Sequence, residues 1–577
     1  MFSLNKFMLK VVVFILFLFT GAVFSSLDLH TMNDEGYIFN SGDTRYFPAL
    51  HIDTLGFRYE ELVPFNWRRW QPARITMQNA DGSYVFRDVP AETRGRGNST
   101  WIVGVIDGKV PFRVRFDVPI QMLDSGHAAT NWTVIANHLD RSMFRQYAAY
   151  YLGNLLSESH ENAGYFSPSH AFIDVYINGR YWGVYMLSDQ VNEVTPGRSD
   201  LSFSSDPNFN EFMLELNEYG HRQDSPCITI NGRRHSIRYP SDSLLTDEHM
   251  DYLYNFLTDV DSSIRNMEFE EIVRLTDMDS LVDFYIVSEW FQNHDISHGS
   301  FMHIRRDNYG NPRLYSGPLW DFDVPAFSAV ILEAPMHTFH TVHNIWYGYL
   351  LRMPEFQNEI ARRWYEIRER EILQTLNMIR EHAMKNENAF ERNFERFPIL
   401  GTEMFGTPPR LVELETFMEH VDFLLYFLET RKAFFDSMFL TEYPLSVDFA
   451  VSTALGGEFS TYGWISDGTN GSLLLGYDLQ LLIGDYEAHF VIRLDSYTNE
   501  RVGQIGVDVY NRWLENISSV DIPLYASDFQ QNQQRTFTIP FTSKAFVPFY
   551  EFRILTAEGT FLVAEDVYIT RTAGFLP

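Results

Sequence analysis

The stretch Ala171-Phe-Ile-Asp-Val-Tyr-Ile-Asn-Gly-Arg-Tyr-Trp-Gly-Val-Tyr-Met-Leu187 reads as a β-hairpin. Two β-branched and aromatic runs flank Asn178-Gly179, and both turn residues accept the positive φ that a tight hairpin turn demands. Working outward, Val110-Pro-Phe-Arg-Val-Arg-Phe116 alternates apolar and basic residues, the period of a half-buried strand. Phe112, Val114 and Phe116 take the core face and Arg113 and Arg115 share the other. Trp132 to Ala136, Phe212 to Leu216 and a short alternating segment at Ala73 to Met77 add strands, whereas 29–90 otherwise reads as irregular and turn-rich. Tyr147 to Leu156 is an apolar periodic helix, with Asp140 or Ser142 placed to cap it by accepting orphan amide hydrogens. The first half is therefore expected to be a mixed antiparallel sheet with at least one helix.

Beyond Thr246 the period becomes helical. Acidic caps stand near Asp247 and Asp277, an amphipathic pair of helices runs from Pro354 to Asn386, and a long helix spans Leu411 to Phe439. After Tyr443 short β runs separated by Gly, Asn, Asp and Ser clusters predict a sandwich; they include His489 to Leu494, Thr536 to Phe541 and Tyr550 to Leu555. The expected organisation is a signal peptide at 1–25, an α+β domain at 30–442 and an all-β sandwich of jelly-roll type at 443–577.

The chain has 577 residues, more than one core usually organises, and 45% of them are hydrophobic. A formal charge of −31 argues against a nucleic-acid partner, because a phosphate backbone needs a positive surface. It suits either simple solvation or a basic protein partner. Lys6 and Lys10, the apolar run Val11 to Phe19 and the small residues near Ser25 have the order of a secretory signal peptide. An uncleaved anchor is the alternative, so the expected location is secreted or cell-surface. Cys227 is the only cysteine, which excludes an intramolecular disulfide framework.

Three segments carry chemistry. Arg94-Gly-Arg-Gly-Asn-Ser-Thr-Trp101 offers glycine backbone and the Arg94 and Arg96 guanidiniums to phosphate oxygens, with Asn98 and Ser99 as polar neighbours; the plain alternative is a turn. Asp295, in Asn293-His-Asp295, falls at the C-terminal end of an apolar helix, where a carboxylate opposes the helix dipole. It suits a base or orienter that accepts a hydrogen bond from a substrate hydroxyl. Trp320-Asp-Phe-Asp323 places Asp321 and Asp323 at i and i+2, which in an extended segment point the same way and can share a divalent cation. That separation is too small to straddle a glycosidic bond, which ranks sugar hydrolysis last. His294, His298 and His303 lie near the same loop without zinc-ligand spacing.

These pieces resemble the spore-coat protein H (CotH) kinase family over roughly 45–440. The resemblance rests on Arg94 to Trp101, Lys109 to Phe116, Trp132 to Asp140 with Ser142 and Arg145, Tyr176 to Leu187, and Trp320 to Asp323. It implies an atypical two-lobed protein-kinase-like fold that binds ATP with Mg²⁺ and phosphorylates Ser or Thr of a protein partner, here a basic, Ser-rich one. By position Asp295 matches the catalytic-loop aspartate and Asp321 the metal-binding one, with Asp323 a second ligand. Arg113 or Arg115, or else Lys109, falls near the nucleotide-contacting basic residue, and Asp189 stands where a paired acid belongs. Ser300 takes the place of a metal-holding asparagine. The sandwich resembles a carbohydrate-binding module, with Tyr462, Trp464 and Tyr477 as candidate sugar platforms. The rival expectation is a non-catalytic surface adhesion or scaffold protein that uses the same fold for binding.

Overall fold

The computed structural model describes residues 47–56, 69–97, 100–101, 109–122, 127–158, 166–191, 201–217, 226–293, 295–297, 299–323, 336–403, 409–440, 443–446, 453–460, 463–469, 471, 473–510, 516–530, 533–544 and 549–572. The expected signal peptide, Asn98, Ser99, His294, His298 and Tyr462 lie outside them. Among the described residues no helix is long and apolar enough to cross a membrane.

Seven strands form a closed barrel: β1 (Ala49–Asp53), β2 (Gln71–Gln78), β3 (Tyr84–Gly95), β4 (Phe112–Ile120), β5 (Ala129–Ile135), β6 (His170–Ile177) and β7 (Arg180–Asp189). The predicted hairpin is β6 and β7, and its turn residues Asn178 and Gly179 have φ of 51° and 78°. Closure comes from a parallel pairing of β1 with β6, in which Ala49 lies opposite Asp174. An open mixed sheet is thus replaced by a barrel, because β1 and the long β3 arise within the stretch that reads as irregular. Leu50, Ile52, Ile75, Phe112, Val114, Trp132 and Ile173 fill the interior.

The helix Arg145–Glu158 leaves the barrel after β5, and its predicted cap is present. Asp140 Oδ2 accepts from the Arg145 backbone N–H at 2.7 Å, while Oδ1 accepts from the Ser142 N–H and hydroxyl. The helices Asp247–Arg265 and Met278–Trp290 begin at caps supplied by Thr246 and Asp277. A five-stranded sheet joins three strands that precede these helices, Phe212–Leu216, Cys227–Ile230 and Arg233–Tyr239, to two that follow them, Phe301–Arg306 and Pro312–Ser316, which have no clear alternation of their own. Helices Pro354–Ile367, Glu371–Lys385 and Phe417–Phe439 complete this half.

The C-terminal part is two antiparallel sheets of six and five strands. Its buried residues are continuous with those of the helical half in one apolar cluster, through Phe439, Leu445, Leu481 and Leu482. Polar ties reinforce this joint: Arg571 donates to the Met438 carbonyl at 2.8 Å and to Gln357 Oε1 at 2.6 Å.

Between barrel and helices, His382 sits among the rings of Phe47, Phe144, Tyr147 and Phe172, with centroids 5.6 to 6.0 Å away. Burial, with Lys385 nearby, lowers its pKa to about 4. An imidazole of ordinary pKa in the unfolded chain takes up a proton below about pH 6.5, while the folded one stays neutral, so stability is full above that pH and lost as pH falls toward 4. Urea unfolding of the wild type and His382→Phe at pH 7 and pH 5 checks this. The wild type is expected to lose about 1–2 kcal/mol more than the variant over that interval.

Candidate functional site

β3 ends at Gly95, and the strand alternation that turns Thr93 and Gly95 inward leaves Arg94 and Arg96 facing outward. Gly95 is required by packing: a Cβ there would meet the Trp101 ring at 2.4 Å. Trp101 is itself buried, so Gly95→Ala is expected to cost about 1–3 kcal/mol, read as a lower midpoint in denaturant unfolding. Gly97 has φ of 82°, a left-handed turn that directs the chain away from the barrel rim.

Past this rim a cleft opens, lined by Arg96, Thr100, Pro111, Asn137, His138 and Asp323. The Arg96 guanidinium lies 5.0 Å from the Trp320 ring centroid, which joins the glycine and arginine loop to the Trp-Asp-Phe-Asp segment. Asp321 has φ of 62°. The two carboxylates therefore converge through a left-handed turn and not through the extended i, i+2 geometry expected. Burial first, then the Asp321 charge, raises the Asp323 pKa well above the usual carboxylate range; Arg96 opposes the shift and Asp295 adds to it.

Asp295 opens the single 3₁₀ turn Asp295–Ser297 after the helix Met278–Trp290. Asn293 positions it: Asn293 Oδ1 accepts from the Asp295 N–H at 2.9 Å, and Asn293 Nδ2 donates to the Trp320 carbonyl at 3.4 Å. The loop carrying Asp295 is thereby fastened to the residue before Asp321. On the facing helix Tyr150 is fully buried and accepts from Gln146 Nε2 at 2.7 Å. Burial, then the charge of Asp321, keeps its phenol well above the ordinary value. Nothing in the apolar periodicity of its helix singled out Tyr150.

Other predicted residues are placed differently. Arg113 lies opposite Arg94 in the β3–β4 register. Arg115 pairs with Glu92 at 3.0 Å through Nε and lies 4.2 Å from the Trp70 ring, on whose π-system Arg94 also rests at 4.7 Å. Alternation put Arg115 on the outer face as read, but in a closed barrel it is taken up there by Glu92 and Trp70 and does not reach the cleft as a nucleotide contact. Lys109 is only 1% exposed, with Nζ 3.9 Å from Met143 Sδ and 5.1 Å from the Tyr185 ring centroid. Burial holds its pKa well below that of an ordinary lysine, and the Asp140 charge only partly offsets this.

Asp189, expected as the acid paired with the basic residue, instead accepts from the Ser169 N–H at 2.8 Å and lies 2.8 Å from His127 Nε2. The acid that acts on Lys109 is Asp140, which the sequence marks only as a helix cap. Ser300 donates its hydroxyl to the Ile296 carbonyl at 2.9 Å and so braces the Asp295 loop. His303 is buried on its strand, and burial lowers its pKa to about 3, consistent with an ordinary core histidine. Trp464 is fully buried and is no sugar platform. Among the described residues no group of three or more His, Cys, Asp or Glu forms a ready cation cage.

No curated protein matches the chain. Solved structures similar to part of it include a xylan-binding module at 12% identity, covering 23% of this chain and 98% of that one with a TM-score of 0.19. A C-terminal module of LamC, a marine laminarinase from Zobellia galactanivorans, is 16% identical, with coverage of 22% and 99% and a TM-score of 0.16. The family model described as CotH kinase protein matches residues 94–435, from the arginine of the rim loop to the long helix that closes the helical half. That match takes in Arg96, Asp295, Asp321 and Asp323 together and spans more than half of the chain, which belongs to the CotH kinase protein family.

Proposed function

We propose that this protein is an exported kinase that transfers the terminal phosphoryl group of ATP to a Ser or Thr hydroxyl of a basic, Ser-rich protein partner. The observation that carries this reading is that three distant segments bear on one another: Arg96 and Asp323 line one cleft, the charges of Asp321 and Asp295 act on Asp323, and Asn293 ties the Asp295 loop to the Trp320 carbonyl.

The donor set fits a hard divalent cation, because burial and the adjoining Asp321 charge make a second negative charge on Asp323 costly, a cost that a bound cation would offset. Asp321 and Asp323 would hold Mg²⁺. Bound Mg²⁺ supplies positive charge against the phosphate oxygens of the donor. Arg96, braced by Trp320, offers its guanidinium to the same oxygens. Asp295, fixed by Asn293, accepts a hydrogen bond from the incoming hydroxyl and aims its oxygen at the phosphorus. The sandwich serves to localise the enzyme to a surface, polymer or partner. The half-exposed aromatics Phe459, Tyr497, Tyr525 and Phe561 replace Trp464 as candidate sugar-stacking residues there.

A second reading, a binding platform without turnover, draws on the burial of Lys109. Radiolabel transfer from ATP to a co-expressed basic, Ser-rich protein separates the two. The kinase reading expects label on the partner that disappears with Asp321→Ala. Equal labelling by that variant sinks it.

A further inference from the structure

Asn137 stands in the cleft wall with only half of its amide engaged. It follows β5 in a left-handed backbone conformation, φ 47°, and is 2% exposed. Nδ2 donates to the Met143 carbonyl at 3.1 Å, which settles the orientation of the amide, since a flip would set two acceptor oxygens face to face. Oδ1, at the other end, is buried and accepts no hydrogen bond within the protein. An orphaned buried acceptor is costly, and one on a residue that lines a cleft together with Asp323 points to a ligand atom there.

The chemistry of that atom is restricted. Phosphate oxygens carry no proton at neutral pH and would be repelled by an amide oxygen, so the partner is a proton donor or a cation. Asp323 lines the same cleft with Asp321 beside it, and hard divalent cations combine carboxylates with asparagine carbonyl oxygens.

We propose that Asn137 Oδ1 is an uncharged oxygen ligand, direct or through one water, of the divalent cation held by Asp321 and Asp323. The assignment rests on the kinase reading for the purpose of the cation, but cation binding is measured on the protein without nucleotide.

The test uses Mn²⁺ alone as probe, with titration calorimetry and electron paramagnetic resonance on the full chain. The wild type is expected to bind Mn²⁺ and Asp323→Asn to lose it. Asn137→Gly, which keeps the left-handed backbone, is expected to weaken binding about 10-fold or more. Asn137→Asp keeps Oδ1 and adds a charge but sets its second oxygen against the Met143 carbonyl, and it is expected to bind Mn²⁺ more tightly than Asn137→Gly; an Asp variant that binds no better than the glycine variant counts against the ligand role. Undiminished Mn²⁺ affinity in Asn137→Gly, with binding still lost in Asp323→Asn, overturns the role of Asn137 and leaves the kinase reading standing. Intact Mn²⁺ affinity with weakened adenosine binding reassigns the oxygen to a ribose contact. If the wild type binds no Mn²⁺, both this proposal and the cation reading of the cleft fail.

Discussion

Asp323→Asn is expected to abolish phosphate transfer, by about 10³-fold or more, while leaving the protein as stable as the wild type or more so. The opposite signs follow from one cause. Asp323 is 9% exposed and adjoins Asp321, with Asp295 also bearing on it, so its ionised form is costly unless a cation stands against it. A neutral amide of the same shape removes that cost together with the charge that would hold Mg²⁺. Initial rates of transfer and thermal melting, with and without Mg²⁺, check both halves. Mg²⁺ is expected to raise the wild-type melting temperature and leave that of the variant unchanged. A variant that keeps its rate, or one that melts well below the wild type, contradicts this account of the carboxylate pair.

Arg431→Met is expected to cost about 3–5 kcal/mol, the largest stability effect in the helical half. Arg431 and Glu289 are both fully buried, with Arg431 Nη2 to Glu289 Oε1 at 2.6 Å. The guanidinium also donates to the carbonyls of Met336, Thr338 and Glu289, while the Glu289 carboxylate accepts from the backbone of His340 and Thr341 and from the Thr341 hydroxyl. Removing the cation strands a carboxylate in a dry interior and frees Met336 to Thr341 from the end of the helix that leads to Asp295. Arg431→Met combined with Glu289→Gln is expected to be less destabilised than Arg431→Met alone, because no uncompensated charge remains. Denaturant unfolding of the three variants measures this. A loss below about 1 kcal/mol in the single variant would show that the pair is dispensable.

How far the sequence could be read depended on how local the cause was. The hairpin was legible because Asn178 and Gly179 declare their own turn. The Asp140 cap was legible because a carboxylate just before an apolar helix has one natural use. Barrel closure was hidden, since it depends on β1 finding β6 across more than a hundred residues of chain, and Ala49 to Asp53 is too short to advertise itself. Arg115 shows the same limit from another side: alternation fixed its face, while the partners on that face, Glu92 and Trp70, were set by strand register and by a loop.

The site divides along the same line. By itself the sequence determined the family and singled out the carboxylates Asp295, Asp321 and Asp323 as candidates, because these rest on residue identity and short spacing. Tertiary structure decided which side chains stand with them. It brought Arg96 onto Trp320, faced Tyr150 to the carboxylates and set Asn137 in the cleft wall with its oxygen unmatched. It also placed Lys109 under the influence of Asp140 and gave Asp189 to His127. The physical reason is that burial, hydrogen-bond satisfaction and charge depend on what the folded chain places within a few ångströms, and those neighbours come from segments far apart in the sequence.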